Sequence, residues 1–354
     1  MKKQSMIAMA LILTLLTGCF KNYDEVDVTG ADISVTTSAS VSDTGDASAE
    51  NDPTEGSVNP SGDSTLAPVE LDAWKMTTES ETDHHEEEDE DQDHRKWGNV
   101  EFENAHQQKI IFDKEGNRFV GRLVLPEGAS EKLPTVVILD FNPSYPNALA
   151  YNKDTVKGIV SNGMACFLIE AFGAGDSNGT YGTYENLSFD NVNELLTVLF
   201  ANMDKIPGVD SSNVVLWVNF RAQLFAVYAM QDKCDRVKSI FLPGVVFTDG
   251  ASLREHYPDK EKIPRDGSYD YYVDQMYDVD AEDFFKNISV KVYAFIPELE
   301  DSESVEYYER YMGYFPDKVL EQVGKDSDVE KGIYRGQGVI FEKIIEDLKA
   351  VFGI

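Results

Sequence analysis

The chain has 354 residues, with 64 acidic against 31 basic side chains and a formal net charge of −33 at pH 7. Residues 20–95 hold 22 acidic and 3 basic residues, so more than half of the excess negative charge lies in this stretch. A field of this sign repels nucleic-acid phosphates and anionic lipid headgroups, and we therefore exclude nucleic-acid binding. The length allows one large α/β domain or two smaller ones.

The first residues have the pattern of an export signal. Lys2 and Lys3 precede the apolar run 6–16, and Leu16-Thr17-Gly18-Cys19 closes it. The run is too short for a comfortable membrane span. Its last four residues resemble the lipobox of bacterial lipoproteins, in which the cysteine is diacylated and becomes the new N-terminus. The resemblance implies a signal peptide over 1–19 and a lipid anchor on Cys19, which holds the chain to the extracytoplasmic face of the cell membrane. An ordinary cleaved signal with an incidental cysteine is the alternative.

Residues 20–96 are rich in Ser, Thr, Asp, Glu and Gly and poor in large apolar side chains. This composition predicts a disordered acidic tether that extends by self-repulsion. The run 83–94 contains His84, His85 and His94 among many carboxylates. Weak buffering of divalent metals is one interpretation of this run. A solvated acidic spacer is the interpretation we favour, and we expect no metal site and no cofactor.

Residues 97–354 have the composition of a globular domain in which apolar strands alternate with helices. The predicted strands are 109–112, 119–125, 135–140, 164–170, 214–218, 237–242, 290–296 and 329–334. The predicted helices are 149–161, 185–203, one ending at 230, 304–311 and 339–352. Residues 248–287, after the sixth strand, are polar and Tyr-rich, and we expect a lid or excursion there. The pattern predicts an α/β fold: a mostly parallel central sheet flanked by helices, opened by an antiparallel hairpin.

Two cysteines follow the signal. Cys166 lies in an apolar strand and is expected to be a small core residue. A disulfide between Cys166 and Cys234 stays open at this point.

The stretch Val214 to Ala229 organises the domain, because an apolar β-branched strand runs there directly into a helix. This order of elements resembles the α/β-hydrolase superfamily, particularly its dienelactone-hydrolase and acyl-peptidase-like branch, over residues 108–352. The most specific segments are the hairpin end 123–128 (LVLPEG), the strand 135–140, and 173–179 (GAGDSNG). The last of these resembles the family's Gly-x-Gly-x-Ser-x-Gly loop.

The resemblance implies a Ser-His-acid triad, which needs an activated hydroxyl, an imidazole base and an orienting carboxylate. The nucleophile elbow, Gly-x-Ser-x-Gly in the family, reads Val218-Asn219-Phe220-Arg221-Ala222, so that Phe220 stands at the nucleophile position. Gln337 stands where the family has its catalytic histidine. The oxyanion-side His-Gly pair reads Asp140-Phe141, and a carboxylate there would repel a developing oxyanion.

Other candidates are weaker. Glu300 and Asp301 lie where the resemblance places the triad acid. The only histidines after residue 97 are His106 and His256, and we expect both at the surface. Ser177 is expected to bond backbone groups within the Gly-rich loop rather than to act as a nucleophile.

These residues favour a non-catalytic binding or interaction module on a lipoprotein, with an unknown small ligand or protein partner. Its candidate pocket is lined by Asp140, Phe141, Phe172, Phe220, Arg221, Glu300, Asp301 and Gln337. The alternative is an active esterase or peptidase in which Asp140 or Glu300 activates water. A third interpretation is a structural surface protein whose excursion contacts a glycan or a partner through Tyr269, Tyr271, Tyr272 and Tyr277.

Overall fold

The computed structural model describes residues 68–80, 100, 102, 104–141, 152–173, 176–219, 222–245, 249–263, 270–298, 302–324 and 335–354. All of them belong to one compact unit, Gly62–Ile354. No helix in this part of the chain is long and apolar enough to cross a membrane.

Nine strands of the described residues form one sheet in the order β1-β2-β3-β5-β4-β6-β7-β8-β9. The strands are β1 (Lys75–Ser80), β2 (Ala105–Lys114), β3 (Asn117–Pro126), β4 (Leu133–Leu139), β5 (Ala165–Glu170), β6 (Val209–Val218), β7 (Ser239–Pro243), β8 (Lys291–Ile296) and β9 (Lys318–Gln322). The first three are antiparallel to their neighbours, and β5, β4 and β6 to β9 are parallel.

The helices are α1 (Lys153–Ser161), α2 (Phe189–Asn202), α3 (Ala222–Ala229), α4 (Gly250–His256), α5 (Asp270–Met276), α6 (Ala281–Phe285), α7 (Ser302–Gly313) and α8 (Gly338–Phe352). Successive residues of the central strands alternate between two buried layers, as side chains do on opposite faces of a sheet. Helices α1 and α8 cover one face, while α2, α3, α6 and α7 cover the other. The predicted fold class is confirmed: the chain has a mostly parallel, helix-flanked sheet with an antiparallel N-terminal hairpin.

The predicted tether is wrong over residues 68–80. This segment forms a short 3-10 turn and then β1, which pairs with β2 from Lys75 opposite Asp113 to Ser80 opposite Gln108. Trp74 is only 8% exposed. The average composition of the acidic stretch does not reveal this one large apolar side chain. The free energy gained by its burial offsets the conformational-entropy cost of ordering a few residues. Cys19, residues 20–67 and residues 81–96 lie outside the described residues.

The predicted excursion is largely helical and contributes to the core. Asp249 caps α4 and accepts hydrogen bonds from the backbone of Ser252 and of Ala281 (both 3.0 Å) and from the Tyr311 hydroxyl (2.9 Å). One carboxylate therefore joins α4, α6 and α7. Burial and the charge of Asp249 raise the pKa of Tyr311, which stays a protonated donor. The helical residues of this region are thus fixed to the body by buried contacts rather than forming a loose polar cover.

Two further differences concern the end of the chain and the cysteines. The last strand of the described residues is β9, which the sequence did not predict, and the predicted strand 329–334 lies outside the described residues. The side chains of β9 are half-buried or exposed, as on an edge strand, and such a strand gives a weak sequence signal. Cys166 and Cys234 are both buried and free, so the two do not form a disulfide.

Candidate functional site

The candidate site lies at the carboxyl ends of β4, β5 and β6, where open parallel sheets bind their ligands. Strand β6 ends at Val218 and α3 begins at Ala222, so a helix follows the strand closely, as the sequence predicts. The amide of Asn219 donates to the Leu139 carbonyl (2.9 Å), and the amide of Ala222 donates to the Asn219 carbonyl (3.0 Å). Asn219 thus lies at the end of β6 and Ala222 at the start of α3. Phe220 and Arg221 themselves lie outside the described residues.

A buried polar network occupies the end of β4. Asp140 is 4% exposed, and its Oδ2 accepts from Asn152 Nδ2 (2.9 Å) and from Asn219 Nδ2 (3.4 Å). Asn219 Nδ2 also lies 3.4 Å from Asn152 Oδ1, and Asn219 Oδ1 accepts from Trp217 Nε1 at 2.7 Å. Asp140 therefore serves to hold β4, the start of α1 and the end of β6 together. Buried polar groups need such partners, because an unmade hydrogen bond there is costly.

Aromatic side chains fill the space beside this network. Phe141 and Phe172 are 1% and 0% exposed, and their rings meet edge to face with centroids 4.9 Å apart. Phe172 contacts Tyr181 in turn, with centroids 5.5 Å apart. The backbone of Phe172 has φ of 55°, a left-handed conformation that non-glycine residues rarely adopt. Both residues were predicted to line a pocket, and both instead belong to the packed core.

Gln337 lies near the same edge of the sheet but is exposed. It directly precedes α8, and its side chain makes no capping hydrogen bond to that helix. A Cβ on the neighbouring Gly336 would meet the backbone of Asp154 and Thr155 in the first turn of α1. The segment is thus close to Asn152, which precedes that turn. Glu300 and Asp301 lie outside the described residues.

His106 is not near the site. It pairs with Leu125 at the start of β2, level with the amino ends of β5 and β4. Asp140 follows the other end of β4, about five residues or ~16 Å away along the strand direction. His256 is the last residue of α4, and the placement of its side chain is outside the described set. His106 therefore cannot reach a group bound beside Asp140.

Ser177 has the structural role that the sequence predicts. Its hydroxyl accepts from the Val120 amide at 3.1 Å and donates to the Glu170 carbonyl. The neighbouring Asp176 is paired with Arg122 (3.2 Å) and Lys109 (2.5 Å). These bonds fix the Gly-rich loop to β2 and β3, and Ser177 is not available as a nucleophile.

Of the four excursion tyrosines predicted to contact a glycan or a partner, only Tyr277 has a described side chain, and it is not exposed. Tyr277 is 9% exposed, and its hydroxyl donates to the Tyr257 carbonyl at 3.0 Å. It packs inward rather than presenting a ring to a partner. Tyr269 lies outside the described residues, as do the side chains of Tyr271 and Tyr272.

Sequence reasoning missed the two asparagines that hold the network. Asn219 follows an apolar strand directly, and a polar side chain at that point was a usable signal. Asn152 had no signal of its own, because it lies after a loop whose path the sequence does not specify. No group of three or more metal-ligating side chains occurs in the part of the chain that the structure describes.

Comparison with known proteins finds the fold but no close relative. No protein-family model matches the chain, and no curated protein matches it either. Many solved structures are similar. The α/β hydrolase GrgF from Penicillium sp. sh18 covers 70% of this chain and 99% of its own, at 17% identity and a TM-score of 0.52. Est1E from Butyrivibrio proteoclasticus, solved with ferulic acid, covers 68% and 96% at 15% identity and a TM-score of 0.50. The hypothetical protein PA2218 from Pseudomonas aeruginosa covers 73% and 98% at 14% identity and a TM-score of 0.50. The chain has the α/β-hydrolase fold.

Proposed function

We propose that this chain is a membrane-anchored extracytoplasmic lipoprotein whose α/β-hydrolase-like domain is a non-catalytic binding or interaction module. The observation that carries the proposal is the state of the site. The carboxylate of Asp140 is held by two asparagines, and Phe141 and Phe172 are buried core residues whose rings pack against each other. The sequence adds Phe220 at the nucleophile position and Gln337 at the base position. Acyl transfer requires a nucleophile, a base and an oxyanion site, and each is replaced here.

An active hydrolase that uses Asp140 as a base is less well supported. A general base must be within hydrogen-bond reach of the proton that it removes. Asp140 is almost wholly buried, and its Oδ2 already has two amide donors. Its environment is thus that of a structural carboxylate.

The first test is labelling of the native protein with a fluorophosphonate serine-hydrolase probe, beside a panel of p-nitrophenyl esters. A known serine hydrolase in the same tube shows that the reagent is active, and labelling of the F220S/Q337H variant at residue 220 would identify that position as the elbow. We expect no labelling and no hydrolysis by the native chain. Labelling that maps to any serine would refute the non-catalytic function.

The anchor is tested separately. A clickable palmitate analogue fed to expressing bacteria is expected to label the native protein and to leave the C19S variant unlabelled. C19S is also expected in the soluble fraction, whereas the native protein is expected in the membrane fraction. Equal recovery of both proteins without lipid would refute the anchor and leave the proposal for the domain unaffected.

A further inference from the structure

Residues 68–80, hereafter the strap, are held to the domain by few side chains. Most of their side chains are exposed; Val69 and Met76 are half-buried, and only Trp74 is buried. β1 is an edge strand whose pairing in the described structure is with β2 alone. Elements with few buried apolar side chains and a short ladder at an edge open locally at less cost than the core.

Trp74 is held by a polar cluster on α2 and β2. Its Nε1 donates to Glu194 Oε1 (3.3 Å), which also accepts from Lys114 Nζ (2.7 Å). The second carboxylate oxygen of Glu194 accepts from the Tyr181 hydroxyl at 2.8 Å. Lys114 Nζ also lies 5.7 Å from the centroid of the Trp74 ring. Glu194 therefore accepts the side-chain hydrogen bond that joins Trp74 to the body, beside the β1–β2 ladder and an ion pair of the exposed Glu79 with Lys109 (3.9 Å).

The ring of Trp74 continues into the aromatic core that fills the candidate site. Its centroid is 5.3 Å from that of Phe119 and 5.7 Å from that of Tyr181. Tyr181 contacts Phe172 (5.5 Å), and Phe172 contacts Phe141 (4.9 Å) beside Asp140. The Phe172 amide donates to the Tyr181 carbonyl at 2.6 Å. Tyr181 thus supports Phe172 in its left-handed conformation through both its ring and its backbone.

We infer that the strap is a detachable device that controls how tightly the site is packed. It opens as a unit before the rest of the domain. Its opening removes Trp74 from Tyr181 and loosens the Phe172–Phe141 pair, because a left-handed phenylalanine persists only while its surroundings hold it. Calling this location a site rests on the proposed function. The strap lies within the acidic stretch 20–96 of the sequence.

Hydrogen exchange measured by mass spectrometry on the full mature chain tests the inference. In the native protein we expect peptides within 75–80 to exchange faster than peptides from β4 and β6. W74A is expected to speed exchange at 75–80 by about tenfold or more, since one anchor carries the docking, and to speed it also at 170–181. W74F keeps a ring but loses the bond to Glu194, and should give a smaller change at both places. E194Q gives a second route to a weakened strap if W74A does not fold.

Two variants separate coupling from general destabilisation. L71A changes a strap side chain that is 41% exposed, and it should leave exchange at 170–181 unchanged. L348A removes a fully buried side chain from the opposite face of the sheet. It should speed exchange in all strands without favouring 170–181.

Either of two results would overturn the inference. One is faster exchange at 75–80 in W74A with 170–181 unchanged, which would show that the strap opens without loosening the site. The other is native exchange at 75–80 as slow as in β6, which would show that the strap is not a separate unit. Neither result depends on catalysis, so the probe-labelling experiment and this one fail independently.

Discussion

Replacing Asn219 by alanine is the sharpest test of the polar network. The change removes the acceptor of Trp217 Nε1, a 2.7 Å bond to a side chain with 0% exposure. It also removes an amide donor from Asp140 and from Asn152. An unsatisfied buried polar group costs ~1–3 kcal/mol, and the weakened bonds at Asp140 and Asn152 bring the expected loss in the free energy of unfolding to ~2–4 kcal/mol. The structure thus predicts a large effect from the loss of one buried polar side chain.

Urea denaturation followed by far-UV circular dichroism measures this loss. With an m-value of about 3 kcal/mol/M, N219A should unfold at a midpoint about 1 M below that of the native protein, with m unchanged. N287A is the matched control, because Asn287 donates to Gln231 at the surface. It should stay within ~0.5 kcal/mol of the native protein. Equal midpoints for N219A and N287A would refute the structural role of the network.

N219D gives a pH-dependent counterpart. It would place a second carboxyl group beside Asp140 in a buried site, where like charge and burial raise the pKa of the new group above its unfolded value of about 3.9. A raised carboxyl pKa means that folding favours the protonated form. The deficit relative to the native protein should therefore be largest at pH 7 and shrink as the pH falls toward 5. A deficit that does not change with pH would contradict the burial of this position.

Three further predictions use other described residues. Partial burial alone would raise the pKa of Glu194, but its three hydrogen-bond donors and the charge of one of them hold that pKa below its usual value. The ionised side chain therefore stabilises the fold above about pH 4.3, the unfolded pKa, and this stabilisation is lost at lower pH. The melting temperatures of the native protein and E194Q should accordingly converge as the pH falls below that value. A methyl group on Gly121 would overlap the ring of Phe167, and G121A should lose ~1–3 kcal/mol in urea denaturation, with part of the loss recovered in G121A/F167L. S177A should lose ~1–3 kcal/mol in the free energy of unfolding, because the partly buried Val120 amide loses its acceptor. It should give the same fluorophosphonate labelling as the native protein. If the native protein is labelled and S177A is not, Ser177 is a nucleophile.

The sequence was sufficient to predict most of the sheet, because the buried strands are continuous apolar runs. Val136 to Leu139 and Val214 to Val218 are entirely buried, and a central strand covered on both faces suits such runs. The edge strands were missed for the opposite reason. β1 is mostly exposed and β9 is half-buried or exposed, so that neither has the continuous apolar run of a buried strand. Trp74 was the one available sign that the acidic stretch touches the domain.

The site was predictable in position but not in state. The junction of Val218 and Asn219 marks the end of β6, and the Asp140-Phe141 pair marks the end of β4, so the edge of the sheet followed from the order of elements. Whether Phe141 lines a pocket or fills it depends on the partner across the loop. Phe172 and Asn152 reach this point through turns whose path local sequence does not determine. The order of elements therefore predicts where the candidate residues lie along the sheet and leaves their contacts open.

The contacts at Asp140 also predict how far activity can be rebuilt. F220S/Q337H restores the two missing residue types, yet it leaves a carboxylate at the oxyanion side and the Phe141–Phe172 pair beside it. We expect its ester hydrolysis to stay at the background rate, since removal of even one oxyanion donor in a working enzyme costs roughly 100- to 1000-fold. D140N keeps a side chain that can still accept from Asn152 and removes the negative charge. F220S/Q337H/D140N should therefore hydrolyse p-nitrophenyl acetate faster than F220S/Q337H, with D140N alone inactive as the control. Equal background rates in all three variants would show that aromatic filling, and not the charge of Asp140, is what closes the site to chemistry.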